Sequence, residues 1–143
     1  MKLTKFQAAL AGTLLLMTLA SGSVRAEDSL YDQIGGEPKF RAVVDELMLI
    51  MESDPRINFT FAETDIPKFK QLLFEQLCNI TGGPCQYTGR SMEESHQKLN
   101  VTNAMFNALA EDLYIAFDRV DVPYRLQNNV MAMLAPMQRD IVK

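Results

Sequence analysis

The chain has 143 residues, enough for about one domain, and its 48% hydrophobic and 22% charged residues are typical of a globular protein rather than a disordered or collagen-like one. A net charge of −4 argues against a nucleic-acid binder that relies on a basic surface. Trp is absent and His96 is the only histidine, so a Ser-His-Asp enzyme or a histidine-containing zinc site would have to be built around this one residue.

The first residues have the pattern of a secretory signal. Two early lysines precede an uncharged stretch rich in Ala and Leu at residues 6–20, and residues 24–26 have the form of a cleavage site. We therefore predict a signal peptide at 1–26 and a single mature domain at 27–143. The mature protein is expected to be exported, in a bacterium to the periplasm, without stable membrane association. An uncleaved single-helix anchor is the alternative.

The rest of the chain has apolar residues at helical spacing, which predicts an all-α protein. A short turn at 29–34 ends at Gly35–Gly36, and a helix beginning near Pro38 is predicted to end around Ser53. After an irregular link, Asp65 is the predicted N-cap of a second helix, which a later glycine pair ends. The inward residues predicted for this second helix are Ile66, Phe69, Leu72, Leu73, Leu77 and Ile80.

Two cysteines flank the end of this second helix. Cys78 and Cys85 are separated by a Gly82-Gly83-Pro84 turn, which allows the chain to fold back on itself. In an oxidising compartment we expect a structural disulfide, which would stabilise the fold by about 2–3 kcal/mol. A redox-active pair is the alternative.

The second half of the chain predicts a short helix followed by two long ones. Ser91 and Glu94 have the spacing of a capping box, which would open a short helix carrying His96. Residues 103–117 and a stretch opened by Val122–Pro123 form the long helices, giving four substantial helices and one or two single turns in total. The inward residues predicted for the last helix are Leu126, Val130, Met133, Leu134 and Met137.

His96 is the one side chain suited to bind a metal through nitrogen or to carry a proton near neutral pH. Taken alone, a single histidine is more often an idle, hydrogen-bonded residue than a ligand. Its meaning therefore depends on the sequence around it.

Several segments in order along the chain resemble the group I truncated haemoglobins. Leu30–Gly36 is similar to the opening of that family, and Asp54–Ile57 leading to Phe61 is similar to its next segment. The middle loop of the family resembles Gly82–Pro84 followed by Tyr87–Arg90. The segment around the family's iron-bound histidine resembles Ser91–His96, followed by Val101, Thr102 and Phe106.

This resemblance implies a fold and a cofactor. The fold is an all-α, truncated globin-like two-over-two helical sandwich, and the cofactor is haem b, iron protoporphyrin IX. His96 would bind the iron through Nε2, while its Nδ1–H donates to a backbone carbonyl. No CxxCH motif is present, so covalent c-type attachment is not expected.

The same resemblance implies the residues around the haem, although plain core packing would explain the same apolar pattern. Phe61 would pack on the haem face. The proximal wall would consist of Met92, Val101, Phe106 and Leu109. The distal wall would consist of Phe69, Leu73 and Leu77 with Leu47 and Met48. The cations matched to the haem propionates would be Lys68, Lys70 and Arg90, which could equally be solvated.

The sequence departs from the family in the distal wall. Many members have a Tyr at the position of Met48 and a Gln in the distal helix, and both donate hydrogen bonds to bound dioxygen. Here Met48, Phe69 and Leu73 donate none, which should cost about 1–3 kcal/mol of ligand stabilisation. The resemblance therefore implies fast O2 dissociation and easy autoxidation. Gln76 could reach inward as a substitute donor, with a solvated position as the more expected one.

The implied function is binding of a diatomic gas, O2, NO or CO, for oxygen binding or transport, NO scavenging or sensing, with an unknown reductase as partner. NO dioxygenation is weakened by the missing distal donors. One alternative is a haem electron-transfer protein in which Met48 is a second iron ligand opposite His96. Another is a small helical interaction module without a cofactor.

Overall fold

The structure is a computed structural model that describes residues 28–143. The predicted signal peptide at 1–26 therefore lies outside the described residues. The elements in chain order are the α-helices α1 Leu30–Ile34, α2 Gly36–Ser53, α3 Ile66–Ile80, α4 Met92–His96, α5 Asn103–Arg119, α6 Tyr124–Leu134 and α7 Gln138–Ile141. Short 3₁₀ turns lie at Asn58–Phe61 and Ala135–Met137. Between residues 28 and 143 there is no β-strand, which confirms the all-α prediction.

Local capping explains where the helices begin. The Asp65 side chain accepts a hydrogen bond from the Lys68 amide at 3.1 Å, as the predicted N-cap of α3. Helix α2 starts at Gly36, two residues before the predicted start near Pro38. The link after α2 contains a 3₁₀ turn and is less irregular than predicted.

Four long helices, α2, α3, α5 and α6, build the core. Helix α2 packs against both α3 and α5, and α5 packs against α6, which confirms the two-over-two sandwich. Most of the buried hydrophobic side chains form one cluster, the main core cluster, whose completely buried members include Phe40, Val43, Leu47, Met51, Leu77, Phe117 and Val130. Burial of each large apolar side chain contributes about 1.5–3 kcal/mol.

The inward faces and the number of short elements differ from the prediction in three details. Met133 on α6 is 41% exposed, because the helix presents Leu126, Gln127 and Val130 to the core instead. On α3, Leu77 is buried as predicted and Ile66, Phe69, Leu73 and Ile80 pack half-buried against the core, while Phe74 and Cys78 are buried in addition. More short elements exist than predicted, since Pro136 lies in a 3₁₀ turn that separates α6 from α7.

A polar cluster with two buried carboxylates, Asp54 and Asp112, joins the end of α2 to α5. Arg56 Nε donates to both carboxylate oxygens of Asp54, at 3.0 and 2.9 Å, and Arg56 Nη1 donates to Glu111 Oε2 at 2.5 Å. These hydrogen bonds from Arg56 hold the pKa of Asp54 below its usual value. Asp112 is only 2% exposed, and burial together with the charge of Asp54 raises its pKa to about 6.

None of the helices within residues 28–143 combines the length and the apolar character needed to cross a bilayer.

Candidate functional site

Helix α4, which carries His96, is defined by the predicted capping box. Ser91 Oγ accepts from the Glu94 amide at 3.2 Å, and Glu94 Oε2 accepts from the Ser91 amide at 3.1 Å and from its hydroxyl at 2.9 Å. These hydrogen bonds from Ser91 hold the pKa of the Glu94 carboxyl below its usual value. The caps fix the single turn that places His96 one turn after Met92.

The hydrogen bonds of His96 define its tautomer. Its Nδ1 lies 2.7 Å from the backbone oxygen of Met92, and a carbonyl oxygen can only accept. The proton therefore sits on Nδ1, while the nearby Ser95 hydroxyl, 3.0 Å away, can donate to the Ser91 carbonyl at 2.8 Å. In the neutral form of this half-buried ring, Nε2 then carries the lone pair that a metal ligand requires.

Helix α3, which is predicted to form the distal wall, carries a stripe of half-buried side chains. Phe69, Leu73 and Gln76 are spaced four and three residues apart, so they lie on one face of the helix. The Phe69 ring contacts the ring of Phe61 at a centroid distance of 5.4 Å. This contact brings two of the predicted haem-contact residues together, and their roles toward haem stay predictions.

The remaining predicted wall residues divide into two groups. Leu47, Met48 and Leu77 are buried in the main core, so packing alone accounts for their apolar character. Met92, Phe106 and Leu109 are half-buried and thus retain surface that a large apolar group could cover. Val101 is 7% exposed and lies outside the main core cluster.

Gln76 connects the two walls. Its Nε2 donates to Met92 Sδ at 3.1 Å and to Met137 Sδ at 3.5 Å. The expectation of a solvated Gln76 is therefore wrong, because the amide points inward between α3 and α4. Its position seven residues after Phe69, on the same helical face, was the sequence signal for this orientation.

The predicted propionate partners behave differently from one another. Lys70 forms an ion pair with Asp45 of α2, so its side chain turns toward α2, and its role toward a propionate stays a prediction. It lines a surface cleft of about 440 Å³ between α2 and α3, which includes none of the predicted haem-contact residues. Lys68 and Arg90 are exposed, and their roles stay predictions.

The loop between α3 and α4 is tied to α3. Cys78 and Cys85 form the predicted disulfide, and Asn79 Nδ2 donates to the Cys85 carbonyl at 3.1 Å. Glu75 accepts from the amide and hydroxyl of Thr88, at 3.0 and 2.7 Å. A Cβ on Gly83 would lie 2.6 Å from Cys78 Sγ, so the turn requires glycine beside the disulfide.

The donor set of this site fits a haem group. One imidazole can present a lone pair, and the predicted wall residues Phe69, Leu73, Met92, Phe106 and Leu109 are apolar and half-buried, which suits a flat, largely apolar cofactor held by one axial nitrogen. Among residues 28–143 there is no group of three or more His, Cys, Asp and Glu side chains placed to hold a metal ion directly. The prediction that His96 ligates iron stays a prediction.

Comparison with known proteins gives the family. The model of the bacterial-like globin family matches residues 29–143. A group 1 truncated hemoglobin from Nostoc commune is 41% identical over 85 residues, which are 59% of this chain and 72% of that protein. One from Mycolicibacterium paratuberculosis is 28% identical over 113 residues, 79% of this chain and 83% of that protein.

Solved structures agree with these relatives. The truncated hemoglobin of Tetrahymena pyriformis superposes with a TM-score of 0.78 at 25% identity, covering 80% of this chain and 98% of that one. The 2/2 hemoglobin of Synechococcus sp. PCC 7002, solved with covalently attached heme, gives a TM-score of 0.76 at 28% identity, with coverage of 80% and 98%. The chain therefore belongs to the bacterial-like globin family and, within it, to the group I truncated globins.

Proposed function

We propose that this globin binds haem b through His96 Nε2 and uses it to bind a diatomic gas, O2, NO or CO. The observation that carries the proposal is the hydrogen bond from His96 Nδ1 to the Met92 carbonyl, which in the neutral imidazole assigns the lone pair to Nε2 of a half-buried ring. When bound, haem supplies an iron atom with one coordination position for a gas molecule. Membership of a globin family is the reason why a cofactor-free interaction module is not proposed.

The side chains of the distal wall decide how the site discriminates between gases. Phe61, Phe69 and Leu73 have no hydrogen-bond donor, so they exclude water but cannot stabilise the partial negative charge that O2 acquires. CO and NO depend less on such a donor. We therefore propose a site that retains CO and NO and releases O2 quickly, which does not favour NO dioxygenation.

Gln76 is the polar side chain between the two walls in the described residues. Its amide donates to the sulfurs of Met92 and Met137, which are weak acceptors. Exchange of these weak contacts for a more polar acceptor would cost little. We propose Gln76 as the donor that partly replaces the missing distal ones.

The electron-transfer alternative required Met48 as a second ligand. Met48 is 3% exposed and belongs to the main core cluster, and packing accounts for that burial. None of the contacts described for residues 28–143 favours iron ligation by its thioether, so this second function is not proposed.

We also propose export to the bacterial periplasm, with an unidentified reductase as partner. The support for export is the signal-like pattern of the first 26 residues. The Cys78–Cys85 disulfide agrees with an oxidising compartment.

The test is haem binding by a His96→Ala variant. The wild-type protein should bind about one haem per chain with a strong Soret band, and the variant should lose it and regain it with added imidazole. Lys98→Ala, two residues away, is the control and should bind haem like the wild type. If His96→Ala retains haem with an unchanged spectrum, the proposed ligand is wrong.

A further inference from the structure

Helix α4 is too short to be stable by itself. It has five residues, whereas an isolated helix below about 12–15 residues is marginal in water. None of its residues belongs to the main core cluster, and the same holds for the whole proximal segment, residues 91–102. The hydrogen bond from Gln76 of α3 to Met92 is one contact between this segment and the four core helices, and further partners lie elsewhere.

Those partners lie in the last nine residues, 135–143, which we call the C-terminal strap. Helix α7 is the element against which α4 mainly packs. The Lys143 amide donates to the Val101 carbonyl at 3.1 Å, and Gln138 Nε2 donates to Asn103 Oδ1 at 3.0 Å. The strap thus contacts Val101 and Asn103, the residues before and after Thr102, which is the N-cap of α5.

Two apolar side chains of the strap and the proximal segment are buried apart from the main core cluster. Ile141 is 9% exposed and Val101 is 7% exposed, and neither belongs to the main core cluster. The Lys143–Val101 hydrogen bond brings the end of the strap alongside Val101. The Gln76 amide donates to Met137 of the strap and also to Met92 of α4.

We propose that the C-terminal strap, with Ile141 as its buried anchor, is the element that positions His96. The imidazole is fixed to its own helix by the bond from Nδ1 to the Met92 carbonyl, so any displacement of α4 displaces Nε2 by the same amount. Ile141 is therefore a positioning residue that acts through α4. This inference rests on the proposed function, since it concerns the placement of an iron ligand.

The exposed ion pair between Lys143 and Glu93 is a minor part of this arrangement. Its nitrogen and oxygen are 3.9 Å apart, and both side chains are largely exposed. Surface pairs of this kind contribute little because solvent screens them. The buried side chain of Ile141, rather than the terminal charge, is the part to test.

The experiment compares Ile141→Ala, Ile141→Val and Met133→Ala in the full chain. In the haem-free protein, Ile141→Ala should exchange the amide hydrogens of residues 92–99 about tenfold faster, with exchange in α2 unchanged. In the haem-loaded protein it should release haem about tenfold faster and shift the iron–histidine stretching frequency. Ile141→Val should restore both properties, and Met133→Ala, at an exposed position, should leave them unchanged.

Two results would overturn the inference. One is an Ile141→Ala variant with unchanged exchange in α4, and the other is exchange that accelerates equally in α2 and α4, which would make Ile141 an ordinary contributor to global stability. The hydrogen-exchange arm uses haem-free protein, so it judges the strap independently of iron ligation. Haem retention by His96→Ala would refute the proposed function alone.

Discussion

The four-helix core and the proximal segment are stabilised in different ways. The core has fully buried large side chains from four helices, such as Phe40 and Phe117. The proximal segment depends on a capping box and on the C-terminal strap, and it adds no side chain to the core cluster. We therefore expect the core and the segment with the candidate iron ligand to unfold with different free energies, because binding elements are often drawn from the less stable parts of a protein.

Half-buried residues mark the boundary between these two regions. Phe69 and Leu73 pack half-buried against the core, whereas Met92 and Phe106 are half-buried without belonging to the residues packed against it. In the described residues, the contact of Gln76 with Met92 is the polar bridge between the two walls. A haem group between them would contact both regions and so couple their stabilities.

The largest expected difference concerns two phenylalanines on α5. Phe117 is completely buried in the core, so Phe117→Ala should lower the free energy of unfolding of the haem-free protein by about 3–5 kcal/mol. Phe106 is half-buried at the boundary, so Phe106→Ala should lower it by less than about 2 kcal/mol. Urea denaturation followed by circular dichroism measures both values.

In the haem-loaded protein, the loss of stability for Phe106→Ala should exceed the loss for Phe117→Ala. Phe106→Ala should then lose much more stability than in the haem-free protein, while the loss for Phe117→Ala should stay similar. Equal losses for the two variants in the haem-free protein would contradict the separation of the two regions.

The next prediction concerns pH and the core alone. The pKa of Asp112 is raised to about 6 in the folded protein, from an ordinary value of 3.8, because the carboxyl is buried beside Asp54. Its contribution to stability is therefore complete below about pH 4 and is lost as the pH rises through 6. Relative to the wild type, Asp112→Asn should gain about 1–3 kcal/mol between pH 4.5 and 8.

The neighbouring groups set the pH range of that measurement. Arg56 lowers the pKa of Asp54, so Asp54 contributes stability that is lost only as the pH falls below its ordinary value of 3.8. Glu111 also faces the cluster, through its bond to Arg56. Urea denaturation from pH 4.5 upward thus isolates Asp112, and a gain that does not change with pH would contradict the assigned pKa. Amide exchange in α4 should not follow this pH dependence.

The helices and their caps could be predicted from the sequence because capping is local. Asp65 and Ser91 accept hydrogen bonds from amides three residues later, and this spacing is visible in the chain itself. The resemblance around His96 likewise placed a bond from Nδ1 to a carbonyl, which is present. The exact distance between the two walls could not follow from such local patterns.

The contacts and exposures that the sequence did not predict depend on which helix lies opposite in the fold. Lys70 pairs with Asp45 and Gln76 reaches Met92, and both contacts depend on how α3 is rotated against its neighbours. Met133 is exposed for the same kind of reason on α6. The strap was missed because a four-residue helix after Pro136 is too short to show a period.

The smallest expected effect provides the sharpest distinction between the two regions, because two N-cap side chains that each accept from the amide three residues later lie in different places. Asp65→Ala removes the cap of α3, which contributes to the core, and should lower the free energy of global unfolding by about 1 kcal/mol. Ser91→Ala removes the cap of α4 and should leave global unfolding of the haem-free protein unchanged. It should instead accelerate amide exchange in residues 92–99 about fivefold. If Ser91→Ala lowers the global value as much as Asp65→Ala does, α4 unfolds together with the core, and the position of His96 is then set by the whole fold rather than by the strap.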